Sequence, residues 1–193
     1  MKSLERYLPQ LSDCFLKVEA KKKNGKSLAV EDAVQKIVAQ VLACAKKRNK
    51  VMIVGNGGSA AIASHTAVDL LKNAEVPCIA FNDASFLTCL SNDLGYEAVF
   101  ALPIERLSKA GDILIAISSS GKSPNILKAV ETAKKKTNFI VTFSGFLNEN
   151  PLRSMGDINF YVPSFSYGFV EVTHLALCHW IVDSIMDQKA RRN

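Results

Sequence analysis

The sequence predicts an α/β fold: a doubly wound parallel sheet, preceded by a helical hairpin and closed by a long C-terminal helix. Three observations carry that expectation. Apolar runs at 51–54, 77–81, 113–117, 139–143 and 158–162 do not alternate with polar residues, the pattern of parallel strands covered on both faces. Helical stretches at 60–72, 84–91, 96–107 and 124–136 lie between them. Two small-residue loops, Gly55-Asn56-Gly57-Gly58-Ser59 and Ser118-Ser119-Ser120-Gly121-Lys122-Ser123, each leave a strand and open a helix.

Ahead of the first strand, Leu4, Tyr7, Leu8, Leu11, Phe15 and Val18 recur at helical spacing, so residues 4–22 read as one amphipathic helix. Asn24-Gly25 interrupts it. Residues 28–46 repeat the pattern with Val30, Ala33, Val34, Ile37, Val38, Val41 and Leu42 on one face. The two apolar stripes need a partner surface, and an oligomeric helix bundle supplies one. Residues 168–187 read as the last helix. The whole is expected to be one domain over 1–193, with 1–48 a helical hairpin extension and 49–193 the α/β core.

The chain has 193 residues, 48% hydrophobic and 22% charged, which argues against disorder. A net charge of +6 suits an anionic substrate. The basic clusters at 21–23, 46–48 and 134–136 fall at helix ends and do not form one tract with interleaved aromatics, so no nucleic acid is expected as a partner. The cysteines at 14, 44, 78, 89 and 178 form no Cys-x-x-Cys pair and read as reduced residues of a cytoplasmic protein. Residues 1–19 carry no signal-peptide core and no apolar run reaches spanning length, so no membrane is expected.

Each loop presents backbone N–H groups at a helix N-terminus, where the unpaired donors and the helix dipole favour an anion. Ser59 adds a hydroxyl to the first loop. Ser118, Ser120 and Ser123 surround Gly121 in the second, and Ser123-Pro124 reads as N-cap and first helical residue. A plain strand-to-helix turn accounts for the cap but not for three serines before it. A nucleotide P-loop fails because Ala116 stands where its first glycine belongs. The first loop also fits a dinucleotide fingerprint, yet its acid, Asp83, lies further on than the usual ~20 residues. Together the loops point to a pocket for a phosphorylated small molecule.

His65 and Asp69 lie four residues apart on one helix face, and Glu171 and His179 share a stripe of the last helix. His174 points about 140° away from His179. Two histidines and two carboxylates can hold a divalent metal or form an acid/base set. A hydrogen-bonded pair on the helix surface would show the same spacing.

These motifs, together with Ser91-Asn92-Asp93 and Pro163-Ser164-Phe165-Ser166-Tyr167, resemble the phosphoheptose isomerases of the sugar-isomerase (SIS) superfamily over almost the whole length. The resemblance implies an SIS fold, a cytoplasmic homotetramer, and interconversion of sedoheptulose 7-phosphate with a heptose 7-phosphate for surface polysaccharide precursors. It implies a substrate site at Asn56, Gly57, Gly58, Ser59, Asn92, Asp93, Ser118, Ser119, Ser120, Ser123 and Glu171. Asp69 and His179 would be catalytic, and zinc would be held by His65, Asp69, Glu171 and His179. Asp69 stands where the family has Glu and Glu171 where it has Gln. The segment at 167–169 is one residue shorter than the family's and lacks its acidic residue. These departures leave open an isomerase of another sugar phosphate, or a non-catalytic SIS protein that binds one.

Overall fold

The computed structural model describes residues 3–136 and 139–191; the remaining residues of the expected 1–193 domain lie outside the described ones. Helix α1 (Leu4–Leu16) is followed by strands β1 (Glu19–Lys22) and β2 (Ser27–Leu28) and by α2 (Val30–Lys46). Then come β3 (Val51–Gly55), α3 (Gly58–Lys72), β4 (Cys78–Ala80), α4 (Ala84–Leu94), α5 (Ala101–Leu107), β5 (Ile113–Ser118) and α6 (Pro124–Lys134). The chain ends with β6 (Phe139–Gly145), β7 (Ile158–Val162) and α7 (Tyr167–Ala190). Short 3-10 turns sit at Tyr96–Ala98 and Pro151–Ser154.

Among the described residues the strands form one seven-stranded sheet in the order β2-β1-β7-β6-β5-β3-β4. Strands β3 to β7 are parallel to one another; β1 runs antiparallel to β7 and β2 antiparallel to β1. Both faces are covered, so successive residues of one strand enter different cores. Val51, Ile53, Ile113, Ile115 and Ile117 pack with residues of α2, α3 and α7. Met52, Val54, Leu114 and Ala116 pack with Ile104 of α5 and with Ile126, Ala129 and Val130 of α6. That period of two within unbroken apolar runs is the mark of a doubly covered strand.

Two expectations need correcting. The N-terminal extension is not purely helical: residues 19–22 and 27–28 are strands that lengthen the sheet. Asn24-Gly25, read as a helix break, lies in the turn between β1 and β2, where Gly25 N–H bonds the Lys22 carbonyl. Asn-Gly is a preferred hairpin dipeptide. The single helix expected at 96–107 is divided into a 3-10 turn and α5. Pro103 would cost a continuous helix a hydrogen bond and set its ring against the carbonyl four residues back, at Val99; a fresh start at Ala101 puts it in a first turn instead. Helix α7 is long and apolar enough by composition to cross a membrane, but half of that stretch is buried inside the protein. It is the core helix of one face, packed on α2 and α3.

Counted within the parallel set, the strand order is the flavodoxin-like 2-1-3-4-5. Its switch point falls between β3 and β5, where such sheets bind ligands beyond the strands' carboxyl ends. Gly55 pairs with Ile117 at that edge, so the two small-residue loops leave the sheet side by side.

Candidate active site

Loop one turns sharply. Gly57 adopts φ 54° and ψ −123° at the N-cap of α3, a conformation closed to side chains with a Cβ. Gly58 is needed for a different reason: a Cβ there would come within 2.5 Å of the Glu171 carboxylate. The N-terminal part of α7 therefore lies against the start of α3, with the Glu171 carboxylate over the helix N-terminus.

Loop two is folded by its own hydroxyls. Gly121 N–H donates to Ser118 Oγ at 3.2 Å and Lys122 N–H to Ser120 Oγ at 3.3 Å. Ser123 occupies the N-cap of α6 with Pro124 after it, as expected, but its hydroxyl makes no cap bond. It turns instead to Ser118 Oγ, 3.2 Å away. The loop is buttressed from behind by Asn150, whose Nδ2 donates to the carbonyls of Gly145 and Leu147.

Between the loops lies a cavity of about 140 Å³ lined by Asn56, Ser59, Ile117, Ser118, Ser119, Ser120, Ser123, Tyr167 and Glu171. Ser59, Ser118 and Ser119 are each at most 5% exposed. Ser119 Oγ is buried without a hydrogen-bond partner among the described residues. A buried hydroxyl rarely stays unpaired without a function, and here it lines a polar cavity. The lining offers hydroxyls, an amide and backbone, and one acidic group, Glu171, with no lysine or arginine, so an anion here would be held by dipoles against the repulsion of that carboxylate.

A second cluster lies further along the same pair of helices. His65 Nε2 and His179 Nδ1 approach Asp69 Oδ2 at 3.3 and 3.5 Å. The two rings meet edge to face, centroids 5.0 Å apart. The other carboxylate oxygen of Asp69 accepts from Asn73 Nδ2 at 3.1 Å, which fixes the plane of the group. The three ligand atoms lie within 4.8 Å of one another. Two imidazoles and a carboxylate at this spacing suit a zinc-like cation with a position left open. Glu171 is not in this cluster; eight residues back on α7, it begins about 12 Å away along the helix, and its carboxylate rests on Gly58.

The expected residues thus divide. The serines, Asn56 and Glu171 line the cavity; His65, Asp69 and His179 form the cluster; Gly57 and Gly58 shape the loop without lining the cavity. Asn92 and Asp93 are not among the lining residues. They are exposed at the end of α4, with Asn92 Nδ2 bonded to Asp93 Oδ1 at 2.8 Å. Tyr96, just beyond them, is the residue of that segment that reaches the site, its hydroxyl on Asn56 at 3.1 Å. His174, set apart by its angle on α7, is wholly buried. The sequence reading missed Tyr167, Asn73, Tyr96, Asn125 and Asn150. Asn73 alone carried a local signal, the i,i+4 spacing from Asp69.

A doubly wound sheet with small-residue loops at its switch point, a buried hydroxyl pocket and an adjoining His/Asp cluster defines a phosphosugar-type SIS domain, and residues 18–145 match the SIS domain family. A phosphoheptose isomerase of Photorhabdus laumondii is 37% identical over 160 residues, covering 80% of this chain and 82% of that protein. A solved phosphoheptose isomerase from Francisella tularensis superposes with a TM-score of 0.82 at 29% identity, covering 97% of this chain and all of that one. The enzyme from Neisseria gonorrhoeae gives 0.74 at 27%, over 94% and 98%. The chain belongs to the phosphoheptose isomerase family.

Proposed function

We propose that the protein isomerises sedoheptulose 7-phosphate to a heptose 7-phosphate, through an enediol, for surface polysaccharide precursors. The observation that carries the reading is the pairing of a hydroxyl-lined anion pocket with a His/Asp cluster on the same two helices. Ser59 to His65 spans about 9 Å along α3, and Glu171 to His179 about 12 Å along α7. That separation favours a substrate whose reacting carbons lie at the far end of the chain from its phosphate, as in a seven-carbon 7-phosphate.

In this reading Ser59, Ser118, Ser119, Ser120 and Ser123 hold the phosphate, helped by the N-termini of α3 and α6. Isomerisation takes a proton from C1 of the ketose and returns it to C2, while a second proton moves between the two oxygens. Asp69 Oδ2 is the base and His179 the acid/base opposite it. With Asp69 committed to a cation, His179 carries the transfer alone. Zinc at His65, Asp69 and His179 would supply Lewis-acid stabilisation of the charge that develops on the substrate oxygens. Glu171 is assigned to the substrate pocket. Self-association into a tetramer is supported by α1, which buries none of its residues and exposes Leu4, Leu8 and Leu16. A cytoplasmic location goes with this reading.

The test is a coupled assay of the purified protein on sedoheptulose 7-phosphate, untreated, chelated, and with zinc restored. Turnover lost on chelation and regained with zinc supports both the reaction and the cation. Turnover indifferent to chelation keeps the isomerase and removes the metal. No turnover in any condition, with the ester still raising the melting temperature, moves the reading to another sugar phosphate or to a binding protein.

A further inference from the structure

We infer that Asn125 and Tyr96 are positioning residues that lock the Asn56 side chain so that it offers an N–H, and not its carbonyl, to the sugar; the inference rests on the phosphosugar reading of the pocket. The logic starts at a group whose direction is unambiguous. The backbone N–H of Ile126 can only donate, and it meets the Asn125 side chain at Oδ1, 3.0 Å away. The NH₂ of Asn125 is therefore turned toward Asn56, where Nδ2 donates to Asn56 Oδ1 at 2.8 Å. Asn56 returns the bond, Nδ2 to Asn125 Oδ1 at 2.9 Å. The Tyr96 hydroxyl donates to the same Asn56 Oδ1 at 3.1 Å.

An amide oxygen has two lone-pair sites and an amide nitrogen two hydrogens. Both sites on Asn56 Oδ1 are filled from within the protein, and one of its two N–H groups is used. What remains for a ligand is a single N–H, on a residue that lines the cavity. Asn125 is 1% exposed, so water cannot replace a lost partner, and the reciprocal pair is correspondingly hard to break. Three separate elements meet on this one amide: the loop after β3, the first turn of α6, and the 3-10 turn after α4. The pair also ties the two anion loops together across the switch point. Asn56 is thereby set to recognise a substrate oxygen that accepts, and a fixed donor discriminates strongly against ligands that lack one.

Asn125→Asp tests this directly. The carboxylate still accepts from Ile126 and Asn56 but cannot donate, so its second oxygen faces Asn56 Oδ1, acceptor against acceptor. The expected result is a rise of about tenfold in the KM for sedoheptulose 7-phosphate, beyond the loss of about 2- to 5-fold in inorganic phosphate affinity that a carboxylate in the first turn of α6 causes by its charge alone. In the ¹H–¹⁵N spectrum the Asn56 side-chain NH₂ pair, protected from exchange in the wild type, becomes fast-exchanging in the variant. Asn125→Ala should raise KM in the wild-type background and add nothing in an Asn56→Ala background. Should Asn125→Asp fail to fold, Tyr96→Phe removes only an exposed donor; it should shift the same Asn56 resonances and raise KM about threefold. Unchanged Asn56 amide protons in Asn125→Asp or Tyr96→Phe would overturn the inference, as would an Asn125→Ala effect that persists without Asn56. If the wild-type protein turns over no sedoheptulose 7-phosphate, the proposed reaction falls. The NMR signature then still decides whether the amide is locked.

Discussion

The serine cavity and the His/Asp cluster stand on the same two helices, α3 and α7, and are built on opposite plans. The cavity sits where the chain leaves the sheet. Its hydroxyls are buried, its loop geometry is fixed by a positive-φ glycine and by serine–backbone bonds, and part of its binding power is backbone. The cluster sits on the flanks of the helices, with the His65 and His179 side chains 55% and 43% exposed. It is made wholly of side chains, and among the described residues Asn73 supports it. The first is pre-organised for an anion whatever carries it. The second is an open, adjustable set of donors suited to moving protons or gripping a cation. In the proposed reaction one region would hold the substrate and the other would change it, so each can be broken separately.

The largest separation is expected from Asp69→Asn. It removes the proposed base and cation ligand while leaving the loops alone. Turnover should fall about 10²- to 10⁴-fold, with inorganic phosphate affinity, measured by calorimetry, kept within twofold. Wild-type-like turnover would remove Asp69 from the chemistry.

The third histidine sharpens the contrast, since it shares α7 with His179 but belongs to the core. His174 Nε2 donates to the Ser144 carbonyl at 3.2 Å, and burial pushes its pKa down to about 4. The unfolded chain takes up that proton near pH 6.5, where the native protein does not. Stability is therefore fully present above about pH 6.5 and falls as pH drops toward 4, by up to about 3 kcal/mol. Urea midpoints between pH 7.5 and 4.5 should show this slope. It should flatten in His174→Gln and persist in His179→Gln; equal slopes in all three proteins would assign the acid sensitivity elsewhere.

The same contrast explains what was legible in the sequence. The five parallel strands and both loops were readable because doubly buried strands and strand-exit glycines leave short-range patterns. His65 and Asp69 were readable because one helix turn brings them together. The reach of Glu171 was not: an eight-residue spacing puts it on the stripe of His179, but only the packing of α7 on α3 decides that its carboxylate stops at Gly58. Asn125 and Tyr96 were invisible for a related reason. Each acts through Asn56, at 69 and 40 residues' separation, and no local pattern encodes that contact. Strand β1 was lost to a competing signal, the helical spacing of Phe15 and Val18 running on from α1.

A smaller effect is expected from Gly57→Ala. Holding an alanine at φ 54°, ψ −123° costs about 1–3 kcal/mol, so the loop shifts and the first N–H groups of α3 move off the anion. Phosphate affinity should drop about tenfold, with zinc affinity, from competition with a chromogenic chelator, unchanged. A parallel loss of zinc binding would mean that the two regions are mechanically coupled through α3.

The smallest effect bears most directly on whether there are two regions or one. The Glu171 carboxylate lies over the N-terminus of α3, so it would compete with a bound phosphate for the same helix end. Glu171→Gln keeps the shape and removes the charge. The lost repulsion is worth about 0.5–1 kcal/mol, so inorganic phosphate should bind about 2- to 5-fold more tightly. If Glu171 belongs to the cavity, zinc affinity stays where it was. If zinc binding weakens tenfold or more, the carboxylate reaches the His65–Asp69–His179 cluster when a cation is present. The cavity and the cluster would then be two ends of one site joined by this side chain. The sign of the phosphate effect and the size of the zinc effect are independent readings, so one variant tells the arrangements apart.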